Sequence, residues 1–466
     1  MRGVRGLINK VDEREYISPL GDSEIKFEIE RVILEITNRL KNPESVKGIV
    51  TNKNNTMKFL EKDIIPWEEV SLSTGYPSIC LFLGELSENY PTEKWDVVAH
   101  NYVLQINEYL SKNGMYSYSL FQGFTGVGFA VTALSKGATR YQNFIRQTND
   151  LVIDYINRIL PTYYKKLEEN NLGMSDYDVI SGITGIGRYL LLYKENEREQ
   201  VALKHILKFL VKMTGNKLIN NCLAPGWYIS SENQYLDSEK ELYPNGNFNL
   251  GLSHGIPGPL SLLSVSLKNG IEVEGQKEAI VKIADWLIKF KIESETGSFW
   301  SFRVDWDEFI AGEGKQNSAS RAAWCYGTPG VARALYLAGK VTNNQEYIDV
   351  SIQTLDDLFN YQRHEWGLYS PTFCHGYAGL LHILNLMYID TKKEKFKGYI
   401  LELLQMILNT YDANAPFGFY NYQLGKDKME LSVNIGLIEG VSGILLVLLA
   451  LIKPIKTDWD TAFLLN

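Results

Sequence analysis

The chain has 466 residues, 45% of them hydrophobic and 12% aromatic, enough to bury the core of one large domain or two ordinary ones. Its net charge of -8 is spread along the sequence, and no basic stripe interleaved with aromatics occurs, so nucleic acid is excluded as the expected partner. Four cysteines, Cys80, Cys222, Cys325 and Cys374, are too few and too scattered for a disulfide framework in so long a chain, and a reducing compartment leaves such thiols free for metal or catalysis.

The first segment, MRGVRGLINKVDEREY, is charged and lacks the apolar centre of a secretory signal, so the protein is expected in the cytoplasm. From there on a Gly-x-x-Gly step recurs ahead of apolar segments: Gly123/Gly126, Gly182/Gly185, Gly255/Gly258, Gly327/Gly330, Gly376/Gly379 and Gly440/Gly443. A degenerate copy at Gly75 to Ser78 makes seven, and successive first glycines lie 48, 59, 73, 72, 49 and 64 residues apart, each interval long enough for a helix out and a helix back. Between the steps run amphipathic helices, such as the one carrying Ile280, Ile283, Ala284, Leu287 and Ile288, while the segments after the glycines are apolar nearly all round. The last of these, Val441 to Ile452, has twelve residues against the roughly 20 needed to cross a bilayer, and reads as a buried core helix.

Seven inner and seven outer helices in alternation predict an all-α chain. Closure removes two exposed ends, which favours an α/α toroid over an open solenoid. The glycines then stand at the starts of the inner helices, where crowded backbones leave no room for a Cβ. Two stretches break the pattern. Residues 216–250, rich in Asn, Ser, Gly and Tyr with scattered β-formers, read as a small insertion. Residues 293–320 form a polar connection into the fifth repeat, and long loops of this kind are usually functional. No linker separates independent domains, so residues 1–466 read as one unit.

Aligning the repeats on the first glycine isolates the unusual residues. Two positions before it stand Ser73, Phe121, Ile180, Ser253, Cys325, Cys374 and Ile438; one position before it stand Thr74, Gln122, Ser181, His254, Tyr326, His375 and Glu439. In a closed ring the same position in adjoining repeats is a spatial neighbour, so Cys325 and Cys374 should face each other with His375 beside them. Two thiolates and one imidazole form a zinc-preferring set, and three protein ligands leave the fourth tetrahedral position open, the mark of a catalytic site. A lone intracellular Cys is usually a small buried hydrophobe, and Cys80 and Cys222 are read so, as are His100, His205, His364 and His382 as ordinary histidines.

These segments resemble the lanthipeptide cyclases, the LanC family, over nearly the whole chain. The likeness is carried by Trp-Cys-Tyr-Gly-Thr-Pro-Gly at Trp324 to Gly330, Cys-His-Gly-x-x-Gly at Cys374 to Gly379, the LGLSHGIPG segment around His254, DYDVISGITG around Asp178, and Arg321 four residues before Cys325. Ser78 is the one visible departure. The resemblance implies an α/α toroid with one Zn2+ bound by Cys325, Cys374 and His375, and an inserted small domain for which 216–250 is the candidate. It implies addition of cysteine thiols to dehydroalanine and dehydrobutyrine in a dehydrated precursor peptide with a leader, giving lanthionine and methyllanthionine rings. It also implies association with a dehydratase and a membrane exporter at the inner face of the membrane.

Repeat position and family likeness together assign proton transfer to His254, orientation of its imidazole to Asp178, and oxyanion support or peptide positioning to Arg321 and Tyr326. The plainer alternatives are a helix cap for Asp178 and a solvated ion pair for Arg321. Two rival functions fit the same ligands: a LanC-like enzyme adding glutathione, and a non-catalytic peptide-binding scaffold braced by zinc.

Overall fold

In a computed structural model the protein is described for residues 16–21, 24–59, 62–315, 320–425 and 428–466. The charged segment expected to lack a signal falls almost wholly on residues 1–15, outside the described residues, and part of the polar connection, 316–319, lies outside them too.

Each of the seven glycine steps opens a helix buried on nearly every side. These inner helices are Tyr76–Asn89, Phe124–Ala133, Ile183–Leu190, Pro257–Lys268, Thr328–Thr342, Tyr377–Thr391 and Val441–Ile452. Pro77, Pro257 and Pro329 stand in the first turn of three of them, where the missing N–H is not needed. Seven outer helices alternate with them: Glu24–Arg39, Trp95–Asn113, Gln142–Glu168, Glu197–Met213, Gln276–Lys289, Gln345–Asp357 and Glu394–Asn409. The outer ones bury one stripe; Gln276–Lys289 buries Ile280, Ile283, Ala284 and Leu287, while the expected fifth member, Ile288, is only partly covered. Each fully buried Leu of the inner set contributes about 1.5–3 kcal/mol, and the all-apolar Val441–Ile452 helix is buried from Val441 to Leu451. Among the described residues no helix is long and apolar enough to cross a membrane.

The ring closes, because the first inner helix packs on the last. The loops ahead of the inner helices are also stitched round the axis by backbone hydrogen bonds. Ser73 donates to Phe121 (3.1 Å), Phe121 to Ile180 (3.5 Å), Val179 to Ser253 (3.0 Å) and Ser253 to Cys325 (3.3 Å). Cys325 then donates to Cys374 (3.3 Å), Cys374 to Ile438 (2.7 Å), and Leu437 back to Leu72 (3.4 Å), so every repeat is joined to the next. The glycines let each loop fold back tightly on the start of its own helix. A Cβ on Gly379 would lie 2.0 Å from the Phe373 carbonyl oxygen, and one on Gly327, whose φ is +94°, would lie 1.7 Å from that of Arg321. Ser78 fits where the other repeats have glycine because its hydroxyl donates to the carbonyls of Gly75 (2.8 Å) and Ile435 (3.1 Å), tying the closing seam.

The two irregular stretches meet. Residues 216–250 form a hairpin, Asn216–Ile219 with Cys222–Pro225, then a short helix, Asp237–Leu242, and a strand, Asn247–Asn249. That strand pairs antiparallel with Arg303–Asp305 of the polar connection. The chain ends in a buried turn, Trp459–Phe463, whose Phe463 ring stacks on Phe373 (3.5 Å) and meets Trp324 edge-on (5.1 Å). Trp324 and Phe373 immediately precede Cys325 and Cys374, so this turn supports both cysteines from behind.

Candidate metal centre and its surroundings

Cys325 and Cys374 end their loops two residues before the first glycine of the fifth and sixth inner helices, and His375 follows. The bond from Cys325 N–H to the Cys374 carbonyl fixes the two loops side by side. The two sulfurs and a ring nitrogen of His375 all lie within 4.8 Å of one another, in the one such cluster among the described residues. Tetrahedral zinc with Zn–S bonds of about 2.3 Å requires donors of this kind roughly 3.5–4 Å apart, so the set fits the ion in chemistry and spacing.

The Cys374 thiol donates to Cys325 and, against burial, drives the Cys325 thiol well below its ordinary range; His375 and Arg321 add to this. The same bond, together with burial, pushes Cys374 well above that range. Burial disfavours a charged His375, but the Cys325 thiolate and Glu439 outweigh it and raise the imidazole. Glu439 Oε1 lies 3.7 Å from His375 Nδ1, and burial raises its carboxyl. A carboxylate behind a metal-binding imidazole orients the ring and increases its basicity.

His254 heads the fourth repeat, and its neighbour Ser253 bonds to the Cys325 carbonyl, so the histidine stands in the loop next to the cluster. Its Nδ1 lies 2.6 Å from Asp178 Oδ2, with Asp178 fully buried and His254 25% exposed. A carboxylate only accepts, so Nδ1 carries the proton and Nε2 is left to exchange one. The other oxygen of Asp178 accepts from the backbone N–H groups of Ser181 and Gly182, each at 2.7 Å. Asp178 therefore braces the loop ahead of the third inner helix, whose N-cap is Gly182 with no side-chain bond, and is also the partner of the histidine; it is not the cap of that helix.

The Tyr326 ring lies 6.2 Å from that of His254, centroid to centroid. Its hydroxyl accepts from Asn249 Nδ2 at 3.1 Å; burial pushes its pKa up and makes it a weaker acid, while Arg303 and Asn249 work against that. Arg321 lies over the Phe302 ring at 5.9 Å and makes no hydrogen bond or ion pair among the described residues, so the solvated ion pair is not what is found. The structure thus brings Cys325, Cys374 and His375 together, and places His254 with Asp178 and Tyr326 alongside; Arg321 is close enough for its charge to act on both cysteines.

Sequence reasoning missed four neighbours. Glu439 was visible in the repeat alignment, one position before the seventh first glycine, yet a single Glu there is unremarkable by itself. Tyr235 of the insertion meets His254 edge-on at 6.0 Å, and Asn249 and Arg303 reach Tyr326 through the strand pair. None of these three has a sequence signal.

The description "lanthionine synthetase C-like protein" belongs to the family profile that matches residues 66–464. The chain is 30% identical over 444 residues to nisin biosynthesis protein NisC of Lactococcus lactis subsp. lactis, covering 90% of this chain and 97% of that one. It is 26% identical over 375 residues to the lacticin 481/lactococcin biosynthesis protein LcnDR2 of the same organism, covering 72% of this chain and 36% of that longer protein. Among solved structures, nisin cyclase superposes with a TM-score of 0.74 at 28% identity, covering 95% of this chain and 97% of the other.

Proposed function

The chain belongs to the lanthionine synthetase C-like family, and on that footing we propose that it is a lanthipeptide cyclase whose single zinc ion is held by Cys325, Cys374 and His375. The observation that carries this reading is the cluster of two thiols and an imidazole within 4.8 Å, set beside a histidine held by a buried carboxylate. A bound zinc ion supplies the thiolate chemistry, since a free peptide thiol with a pKa of about 8.5 is mostly protonated near neutral pH.

The remaining work falls to side chains. The substrate sulfur bonds to the β-carbon of a dehydroalanine or dehydrobutyrine, the alkene electrons move toward the carbonyl, and the α-carbon takes a proton. The proton lost from the thiol and the one gained at carbon balance, so nothing is oxidised. His254 serves that transfer through Nε2, because Asp178 engages Nδ1 and holds the ring in place. The Tyr326 hydroxyl and the Arg321 guanidinium, which makes no ion pair among the described residues, support the oxyanion charge that develops. The substrate is a dehydrated precursor peptide with leader and core, and a dehydratase and exporter are its expected associates at the membrane face.

The test is zinc analysis of the pure protein and its Cys325→Ala and Cys374→Ala variants, with ring closure in a dehydrated precursor peptide followed by loss of free thiols, and glutathione as competing thiol. The expected result is about one zinc per chain in the parent, little in either variant, and a loss of at least ~1,000-fold in ring closure. Full zinc in both variants would overturn the ligand assignment. Thioether formation from glutathione alone would transfer the protein to the rival class.

A further inference from the structure

Asn249 and Arg303 are direct partners in the strand pair that joins the insertion to the polar connection. Both are buried, Asn249 fully and Arg303 to 8% exposure, and both reach Tyr326. Asn249 Nδ2 donates to the tyrosine hydroxyl at 3.1 Å, and the Arg303 guanidinium lies 5.1 Å from the ring centroid. Gly251 lets the ring come close, since a Cβ there would stand 2.6 Å from it. Arg303 is itself held by Glu239 on the short insertion helix at 3.1 Å and by the Phe302 carbonyl at 3.3 Å, while its Nε has no partner.

Burying a guanidinium costs several kcal/mol unless its contacts repay it, and one carboxylate with one carbonyl is thin repayment for stability alone. The arrangement has a clearer use at the tyrosine. A hydroxyl has one proton and two acceptor lone pairs. With Asn249 donating to its oxygen and a fixed positive charge alongside, the O–H dipole is turned so that its hydrogen points away from both.

We propose that Asn249 and Arg303, held in place by Glu239, are positioning residues that aim the Tyr326 proton at the reacting substrate, and that this is what the 216–250 insertion contributes to ring closure. The proposal rests on the cyclase reading. The insertion is then part of the catalytic apparatus, anchored by a strand pair rather than by a helix of the ring. It acts only through Tyr326, which makes it separable from a general stabilising role.

The experiment is a double-mutant cycle of Tyr326→Phe with Arg303→Met, and of Tyr326→Phe with Asn249→Ala, on the full zinc-loaded chain acting on a dehydrated precursor peptide. Each single variant is expected to lower kcat by ~10- to 100-fold with KM within about 3-fold and zinc unchanged. Each double variant should be no slower than Tyr326→Phe within about 2-fold, because residues that act through one group are not additive. Multiplying losses in the doubles, or an unchanged kcat in the singles, overturns the proposal. Should Arg303→Met fail to fold, Glu239→Gln takes its place, with a several-fold kcat loss that must likewise vanish in the Tyr326→Phe background. A second readout needs no substrate: the ring-carbon NMR resonance of Tyr326, assigned by its absence in Tyr326→Phe, should move in Asn249→Ala and in Arg303→Met. A moved resonance in a parent protein that closes no rings would sink the cyclase reading and leave the contact with Tyr326 standing; an unmoved one in an active parent would do the reverse.

Discussion

Two histidines in this chain are paired with aspartates, and they have opposite fates. His254 meets Asp178 at 2.6 Å with a quarter of its surface exposed, one loop away from the cluster of Cys325, Cys374 and His375. His382 meets Asp460 at 3.2 Å with both side chains out of solvent, under the Trp459 ring at 4.9 Å, and its Nδ1 has no partner. Asp460 is shared with Asn466, which donates to it at 2.7 Å. The same two side chains therefore make the proposed proton-transfer pair in one place and a clasp in the other. What separates them is access: a proton can be exchanged with substrate only from a nitrogen that substrate can reach, and a sealed pair can only hold elements together.

The sharpest way to break this contrast is to remove both imidazoles in turn. On the proposed role of His254, His254→Asn is expected to lower ring closure by ~100- to 1,000-fold with zinc content and melting temperature little changed, because it deletes the proposed proton-transfer group from an open position. His382→Asn should leave kcat within about 2-fold but cost about 1–3 kcal/mol in urea unfolding, because it removes one of the buried contacts that tie the sixth inner helix to the terminal turn. Equal loss of kcat in the two variants would mean that exposure is not what divides the pairs.

A smaller effect separates the two jobs of Asp178. Asp178→Asn can still accept from Ser181 and Gly182, but it presents an amide where His254 Nδ1 needs an acceptor, so kcat should fall ~10- to 100-fold at nearly unchanged stability. Asp178→Ala removes the bonds to Ser181 and Gly182 as well and should add about 1–3 kcal/mol of destabilisation. Identical melting behaviour of the two variants would show that the bonds to Ser181 and Gly182 are not what the carboxylate provides to the fold.

The wheel itself was legible because its rule is steric. Where each loop folds back on the start of its own inner helix a Cβ would collide with the loop backbone, and at the second glycine it would also crowd the preceding repeat, so glycines mark all six regular steps, and Ser78 is tolerated only where its hydroxyl finds two carbonyls. The convergence of Cys325, Cys374 and His375 was legible for the same reason, since the backbone bonds that join the loops sit at the position the cysteines occupy. Asn249 and Arg303 were not. Their meeting depends on a three-residue strand pairing between two irregular stretches, which leaves no periodicity to read. The terminal turn was equally silent, because Trp459, Phe463 and their neighbours are buried by what lies around them and not by any pattern of their own.

The finest distinction concerns how the sealed pair is kept sealed. Glu85, on the first inner helix, is 1% exposed and accepts from Asn89 (2.8 Å), from the N–H groups of Lys456 (3.0 Å) and Thr457 (2.8 Å), and from the Thr457 hydroxyl (2.6 Å). It thereby anchors the segment that leads into Asp460. Burial pushes its carboxyl up to about 7, against the hydrogen bonds that pull it down. The unfolded carboxyl titrates near ~4.3, so between these values the folded state holds the extra proton and stability falls as pH rises. From about pH 6 to about pH 8 this group should remove about 1 kcal/mol. Glu85→Gln mimics the protonated form and should flatten that part of the pH dependence, with kcat within about 2-fold because the open pair lies elsewhere. Urea unfolding of parent and variant at the two pH values reads the difference directly; parallel losses would assign the pH dependence to other groups and leave the clasp indifferent to the charge on Glu85.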